Sequence, residues 1–391
     1  MIIRLLTLLS VLLAVSPPAA SQQAELVLTY VSRDGDRAYQ RQRRYTGLVL
    51  RQKFALIDAV KAGIKESRIL GRAIGVKFTL SQLVLGPDDP PADAVRRHIG
   101  ETGSRILIMD VPLEDLTGIS GKLATRDVIL LNPRHRTMSL RRENCHSALF
   151  HTAASDAMLA DGLAQYLRRR GWTRVLMLVG EQERDKISAA AFADAAIKFG
   201  LDITARRNFV PTNDPRQRDQ NNIALLTQGT YDVVHISDHI GDFGRYVPFQ
   251  TAQPRPVVGD HGLRSSGWHW TWERHGAPQL NQRFAREAKR DMTDTDWAAW
   301  AAVKSVVEAV TRTRQTDTRA IASYLRGDQF VLDGYKGTPG NFRIWNNQLR
   351  QPVLVHTHDA VIDRAPLEGF LHKTSTLDTL GDDEPNSACR F

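Results

Sequence analysis

A βα pattern that runs twice and then ends in one long alternating stretch, residues 297–358, sets what this chain can fold into. Strands alternating with helices build parallel sheets covered on both faces. Two such runs in about 367 residues exceed what one core organises. The order predicts an α/β protein of two doubly wound, Rossmann-like lobes that share a multi-strand hinge and a cleft.

The residues before the pattern bound the compartment. Residues 1–24 carry one charge, Arg4, then an apolar run at 5–15, then Pro17, Pro18 and small residues, which is the pattern of a cleavable signal peptide. The apolar run is about half the length of a membrane span, and no later segment approaches that length free of charge. The expectation is a periplasmic protein without stable membrane insertion. Its charge of +9 is spread without a Lys/Arg block. Most of these residues read as a solvated basic surface, and in an exported chain the excess argues against nucleic acid and suits an anionic ligand or an acidic partner. The two cysteines, Cys145 and Cys389, are expected to pair in an oxidising compartment and to tie the chain end to its middle. Two unpaired buried thiols are the alternative.

In the first half, strands are expected at 25–32, 76–85, 105–111 and 128–132, with helices at 45–67, 92–101 and 113–124. The second half reads as helices at 155–170, 185–199 and 215–227 between strands at 174–179, 202–209, 231–237 and 256–259. Helices at 280–290, 297–313 and 319–325 follow. A hairpin is expected from 342–345 to 352–356 around the turn 346–348. This divides the chain into a leader at 1–24, lobe I at 25–150 plus about 264–336, lobe II at 151–263 plus about 337–365, and a tail at 366–391.

Three stretches give the chain a family likeness: FHTAASDAMLADGLAQYLRRRGWTRVLMLVG at 150–180, the helix at 297–310, and GTPGNFRIWNNQLRQPVLV at 337–355. With these it resembles the type I periplasmic substrate-binding proteins, the branched-chain amino-acid receptor class of ABC importers, over nearly its whole length. Four further blocks are similar to the subfamily associated with PQQ-dependent alcohol dehydrogenase systems. They are GDFGRYVPFQT (241–251), PRPVVGDHGL (254–263), RFAREAKRDMTDTDWAAWAAVKSVVEAVTRT (283–313) and GFLHKTSTLDTLGDDEPNSACR (369–390). The resemblance implies an inner-membrane ABC permease as partner. It also implies a transported small molecule linked to alcohol oxidation, PQQ itself or a metabolite, and no cofactor of the protein's own.

In open parallel sheets a ligand sits outside the carboxyl ends of the strands. That rule selects Arg33, Asp34, Asp110, Asn132, Arg134 and His135 in lobe I, and His151 beside the hinge. In lobe II it selects Glu181, Arg184, Asp238, His239, Asp260 and His261. The arginines offer forks for a carboxylate. The acids near Arg184 suit an amine, or equally the start of a helix. Trp268, Trp270 and Trp272 would share one face of an extended segment, placing Trp268 and Trp270 to stack on a flat ligand. Packing of the following helix, or a permease-facing patch, is the alternative. His235, Asp238, His239 and Asp242 lack metal-ligand spacing. No GxSxG, Walker loop, GxGxxG after a strand or HExxH occurs. The reading is therefore a solute receptor and not an enzyme, with a ligand sensor that signals without transport as the alternative and a periplasmic hydrolase as a distant one.

Overall fold

A computed structural model describes residues 23–40, 53–124, 127–210, 216, 220–389 and 391. Residues 1–22 of the expected leader lie outside these, as do the first part of the helix expected at 45–67, up to residue 52, and most of the start of the one expected at 215–227.

Lobe I is built on a parallel sheet of β1 (Ala24–Arg33), β2 (Val76–Leu85), β3 (Ile106–Asp110), β4 (Ile129–Asn132) and β5 (Leu149–His151), in the order β2-β1-β3-β4-β5. Alternation sorts its side chains. Leu26, Leu28 and Tyr30 face α1 (Ile57–Ile74) and the late helix α9 (Asp294–Thr313), while Val31, Leu107 and Met109 face α2 (Pro91–Thr102) and α3 (Leu113–Leu123). Both faces are therefore covered, which is why β3 reads as an unbroken apolar run. The chain then crosses to lobe II through α4 (Asp156–Arg170). There β6 (Arg174–Val179), β7 (Asp202–Asn208), β8 (Val233–Ser237) and β9 (Val257–Gly259) form a parallel sheet ordered β7-β6-β8-β9. Helix α5 (Glu183–Phe199) covers one face with α4, and α6 (Ile223–Leu226) and α7 (Val247–Gln250) lie by the other.

The late chain completes both lobes. Helix α9 opens on a capping box, in which Thr293 Oγ1 accepts the Asp296 N–H at 3.2 Å and Asp296 accepts the Thr293 N–H at 2.9 Å. Trp297 and Trp300 are buried on it, as their spacing among Ala and Val predicts. It packs on α1 so closely that a Cβ at Gly63 would lie 3.0 Å from Val303 Cβ. Helices α8 (Ala277–Ala288) and α10 (Thr318–Arg326) flank it. Among the described helices, none is long and apolar enough to cross a membrane.

The expected hairpin is corrected. Residues 342–345 form only a bridge, Phe342 to Leu349, around the turn. Strand β11 (Val353–His356) pairs instead with β10 (Arg264–Ser266) and β12 (Val361–Ala365) in an antiparallel sheet. Phe342 and Leu349 pack in the lobe I core, not with lobe II, and β10 packs with β11 against α4 on the lobe II side. The tail at 366–391 is not a free extension, because Leu367 and Leu380 are buried in the lobe II core and Cys389 is bonded to Cys145.

Helix α4 meets this sheet at Gly162, where a Cβ would fall 2.4 Å from Val353 Cγ2. Gly162→Ala should therefore destabilise by about 1–3 kcal/mol through overpacking. Val353→Ala in the same chain should recover part of that loss, and denaturant titration of the single and double variants measures both. A Gly162→Ala chain as stable as the parent would refute the tight contact.

Candidate functional site

Three segments cross between the lobes: that from β5 to α4, that from β10 into the loop before α8, and that leading into β11. They run side by side. Gln351 Nε2 donates to the Thr152 carbonyl at 2.8 Å, and a Cβ at Gly267 would lie 3.3 Å from Gln351 Oε1. The carboxyl ends of both sheets meet this junction at Asp156, in the first turn of α4. Its N–H donates to the Arg136 carbonyl of the lobe I loop at 3.0 Å, and its carboxylate takes the Arg184 fork from lobe II at 2.7 and 2.5 Å.

On the lobe I rim, buried Asp110 ends β3 and collects donors. It accepts the Tyr30 hydroxyl at 2.5 Å, the Tyr39 hydroxyl, the Leu56 N–H at 3.1 Å and Arg134 Nη1 at 3.1 Å. Burial and the neighbouring Asp110 carboxylate push both tyrosines up, so they stay protonated donors. Arg134 also donates to Asp36 at 2.6 Å and lies over the Tyr39 ring. Arg33 is held by Asp115 and the Gly86 carbonyl. His135 donates Nε2–H to the Val111 carbonyl at 2.7 Å, and burial pushes it down to about 4. His151 is buried against Asn132, and burial holds it well below the usual histidine value. Arg141, fully buried, donates to the carbonyls of His135, Thr137 and Ala153 and so fixes this loop.

On the lobe II rim the acids are mostly engaged by backbone. Asp238 accepts the N–H groups of Gly241, Phe243 and Gly244 at 2.9, 3.1 and 2.7 Å, so it folds its own loop. Asp260 accepts the Asp238 N–H at 2.9 Å. His261 lies under Gly244, where any Cβ would come within 2.2 Å of its ring. Asp185 accepts the His239 N–H at 2.6 Å, and burial, helped by Asp238 and Asp260, pushes it up to about 6. His235 lies inside β8 and stacks on Phe192, ring centroids 3.8 Å apart. Among the described residues, no group of three or more His, Cys, Asp or Glu is placed to hold a metal ion.

A cavity of about 370 Å³ opens at the same rim, lined by Val179, Gly180, Glu181, Lys186, Arg206 and Asn208. Glu181, Lys186 and Arg206 are exposed, and among the described residues neither cation is held by an acid. In this they differ from Arg33, Arg134 and Arg184, each of which is neutralised by an aspartate.

The tryptophan expectation is corrected. The chain bends after Ser266, so the alternation of an extended segment is lost. Trp268 is 1% exposed, stacked on Trp297 and donating to Asn281, and Trp272 donates to the Tyr335 carbonyl in the same core. Only Trp270 of the three is exposed. Asp36, Tyr39, Asp156, Lys186 and Arg206 escape the sequence reading. Asp156 alone carries a local signal, as the acid following the helix-capping Ser155.

No protein-family model and no curated relative matches the chain. Solved structures do. It is similar to a leucine-, isoleucine-, valine-, threonine- and alanine-binding protein from Brucella ovis in its closed conformation (TM-score 0.68, 16% identity, covering 92% of this chain and 97% of that one). It is similar to a branched-chain amino acid ABC transporter periplasmic ligand-binding protein from Burkholderia xenovorans (TM-score 0.66, 12% identity, 87% and 95%). It is also similar to an ABC transporter solute-binding protein from Rhodopseudomonas palustris in complex with 3,4-dihydroxybenzoic acid (TM-score 0.62, 11% identity, 85% and 93%). The chain has the α/β, two-lobed fold of the type I periplasmic binding proteins.

Proposed function

We propose that this protein is a periplasmic solute receptor that takes a small ligand between its two strand-end rims and delivers it to an inner-membrane ABC permease. The observation that carries this reading is the junction at Asp156, where a lobe I loop and a lobe II arginine meet beside three side-by-side crossings. Rotation about those crossings closes the rims on a ligand, and binding shifts the open and closed populations through contacts made only when both rims touch it.

For the ligand we propose a small carboxylate. The cations Lys186 and Arg206 support it, since both line a rim cavity and, among the described residues, neither is ion-paired, even with Glu181 of the same lining. The structural relatives span an aliphatic amino acid, Leu in the protein from Desulfitobacterium hafniense, and an aromatic acid in the one from Rhodopseudomonas palustris. PQQ, a planar tricarboxylate, belongs to this class, although buried Trp268 withdraws the stacking face that favoured it.

The test is a thermal-shift and calorimetric screen of aliphatic amino acids, aromatic carboxylates including PQQ, and neutral alcohols. A carboxylate should bind. Lys186→Ala with Arg206→Ala should weaken it roughly tenfold, the loss of about one charge-assisted hydrogen bond. Tight binding of a neutral alcohol, unaffected by the double variant, would overturn the ligand class and leave the receptor reading standing.

A further inference from the structure

The C-terminal residues 366–389 touch both lobes. On the lobe II side, Gln165 Nε2 donates to Thr379 Oγ1 at 3.0 Å, and the Gly381 N–H donates to Asp161 at 2.6 Å. Lys198 Nζ adds bonds to the Thr379 and Gly381 carbonyls at 2.9 and 3.0 Å. On the lobe I side, Arg343 and Arg350 share Asp378, and Arg142 forks onto Asp382 at 2.7 and 2.9 Å. Beyond these ties Cys389 is bonded to Cys145, which lies in the loop before β5. We propose that this segment is a strap that limits how far the lobes open, and that the Cys145–Cys389 bridge makes the limit redox-sensitive.

The spacing of the ties gives the restraint. Lobe I holds Asp378 and Asp382, while lobe II holds Thr379 and Gly381 between them. Consecutive residues span at most about 3.5 Å of extended chain, so groups of the two lobes gripping neighbouring residues cannot separate by more than a few ångströms without losing contacts. The bridge adds a covalent element. The tail follows β12, which ends at Ala365, packs Leu367 and Leu380 into the lobe II core, and is fixed at its far end to lobe I by the disulfide. The strap is thus a fourth covalent connection between the lobes, besides the three crossings. With the bridge intact, a strap pulled from its ties stays tethered and returns. A dithiol reductant that gives two electrons and two protons converts the bridge to two thiols and is itself oxidised to a disulfide. The strap then ends free and can peel away.

Small-angle X-ray scattering tests this on the ligand-free protein, oxidised and after reduction by a dithiol, and on the Cys145→Ser, Cys389→Ser double variant. Reduction and the double variant should raise the radius of gyration by about 1 Å over a compact value of roughly 21 Å. The parent before reduction should keep the smaller value. Native-state hydrogen exchange on the same samples should show protection lost at 141–146 and 377–389 and retained in β1–β4 and β6–β9. An unchanged radius of gyration would overturn the restraint. Protection lost throughout both sheets would overturn it equally, because the bridge would then be a staple of global stability.

Discussion

Acidification to about pH 5 should unfold the protein cooperatively, because four histidines are buried in the uncharged form. His151, His235, His269 and His356 are 1, 3, 7 and 1% exposed. Burial pushes His235 and His269 down to about 4 and His356 to about 3, and holds His151 well below its ordinary value. In the unfolded chain each titrates near 6.5. Their stabilisation is complete above that pH and is lost as the pH falls toward the folded values, because the unfolded chain takes up protons first. The full slope is about 1.4 kcal/mol per pH unit for each group, so His235, His269 and His356 together remove roughly 5 kcal/mol between pH 6.5 and 5, and His151 acts in the same direction. A domain has about 5–15 kcal/mol in all. Asp161 and Asp185, both pushed up by burial, oppose the trend, and half-buried His135, pushed down to about 4, adds to it. Circular dichroism at 222 nm from pH 7.5 to 4 gives the midpoint. His235→Phe, which keeps the stack on Phe192, should move it to lower pH. A signal that stays flat down to pH 4 would contradict the neutral burial of these rings.

Asp378→Ala should cost about 3–5 kcal/mol, the scale for breaking a buried ion pair by removing one partner. Asp378 is inaccessible and lies between Arg343, itself 1% exposed, and Arg350. Its loss leaves the Arg343 guanidinium buried with only the Leu377 and Leu380 carbonyls as acceptors. Removing both charges is a different experiment. Arg343→Met with Asp378→Leu should recover much of the stability, since no lone charge stays buried. Urea denaturation of the three chains gives the comparison. A single-variant loss under 1 kcal/mol would mean that water reaches Arg343 once Asp378 is gone.

Local sequence carries the fold as far as pattern length allows. Residues 76–85 and 174–179 read as strands and have those limits in the structure, because alternation or an apolar run spans each element and a turn closes it. The three residues of β5 are too few to show a period. The late hairpin fails for another reason. The partner of β11 on one side is β10, about ninety positions earlier, and nothing in 342–356 encodes that pairing. The rims behave alike. Strand ends place Arg33, Arg134 and Arg184 at the carboxyl edges, but whether a guanidinium is available depends on distant aspartates. The partner of Arg33 is 82 positions away, and those of Arg134 and Arg184 are 98 and 28. Trp268 and Trp272 illustrate the converse. Their alternate spacing suggests one exposed face, and a bend after β10 sends them into the core.

The packing of α9 on α1 bears on how the chain can be made. Trp300 donates to Glu66 across 234 positions and Arg283 of α8 donates to the same carboxylate, so the face of α1 that holds Glu66 is covered by α8 and α9. Contacts of such sequence separation slow folding, because a long loop must close before any of them forms. A fragment ending before residue 290 therefore carries a sheet with one apolar face only partly covered, by α1 and α8 without α9. Such a fragment is a substrate for holding chaperones and has no route to a finished lobe. Completion of lobe I must wait for the last quarter of the chain, so the interleaved order makes the two lobes finish late and nearly together.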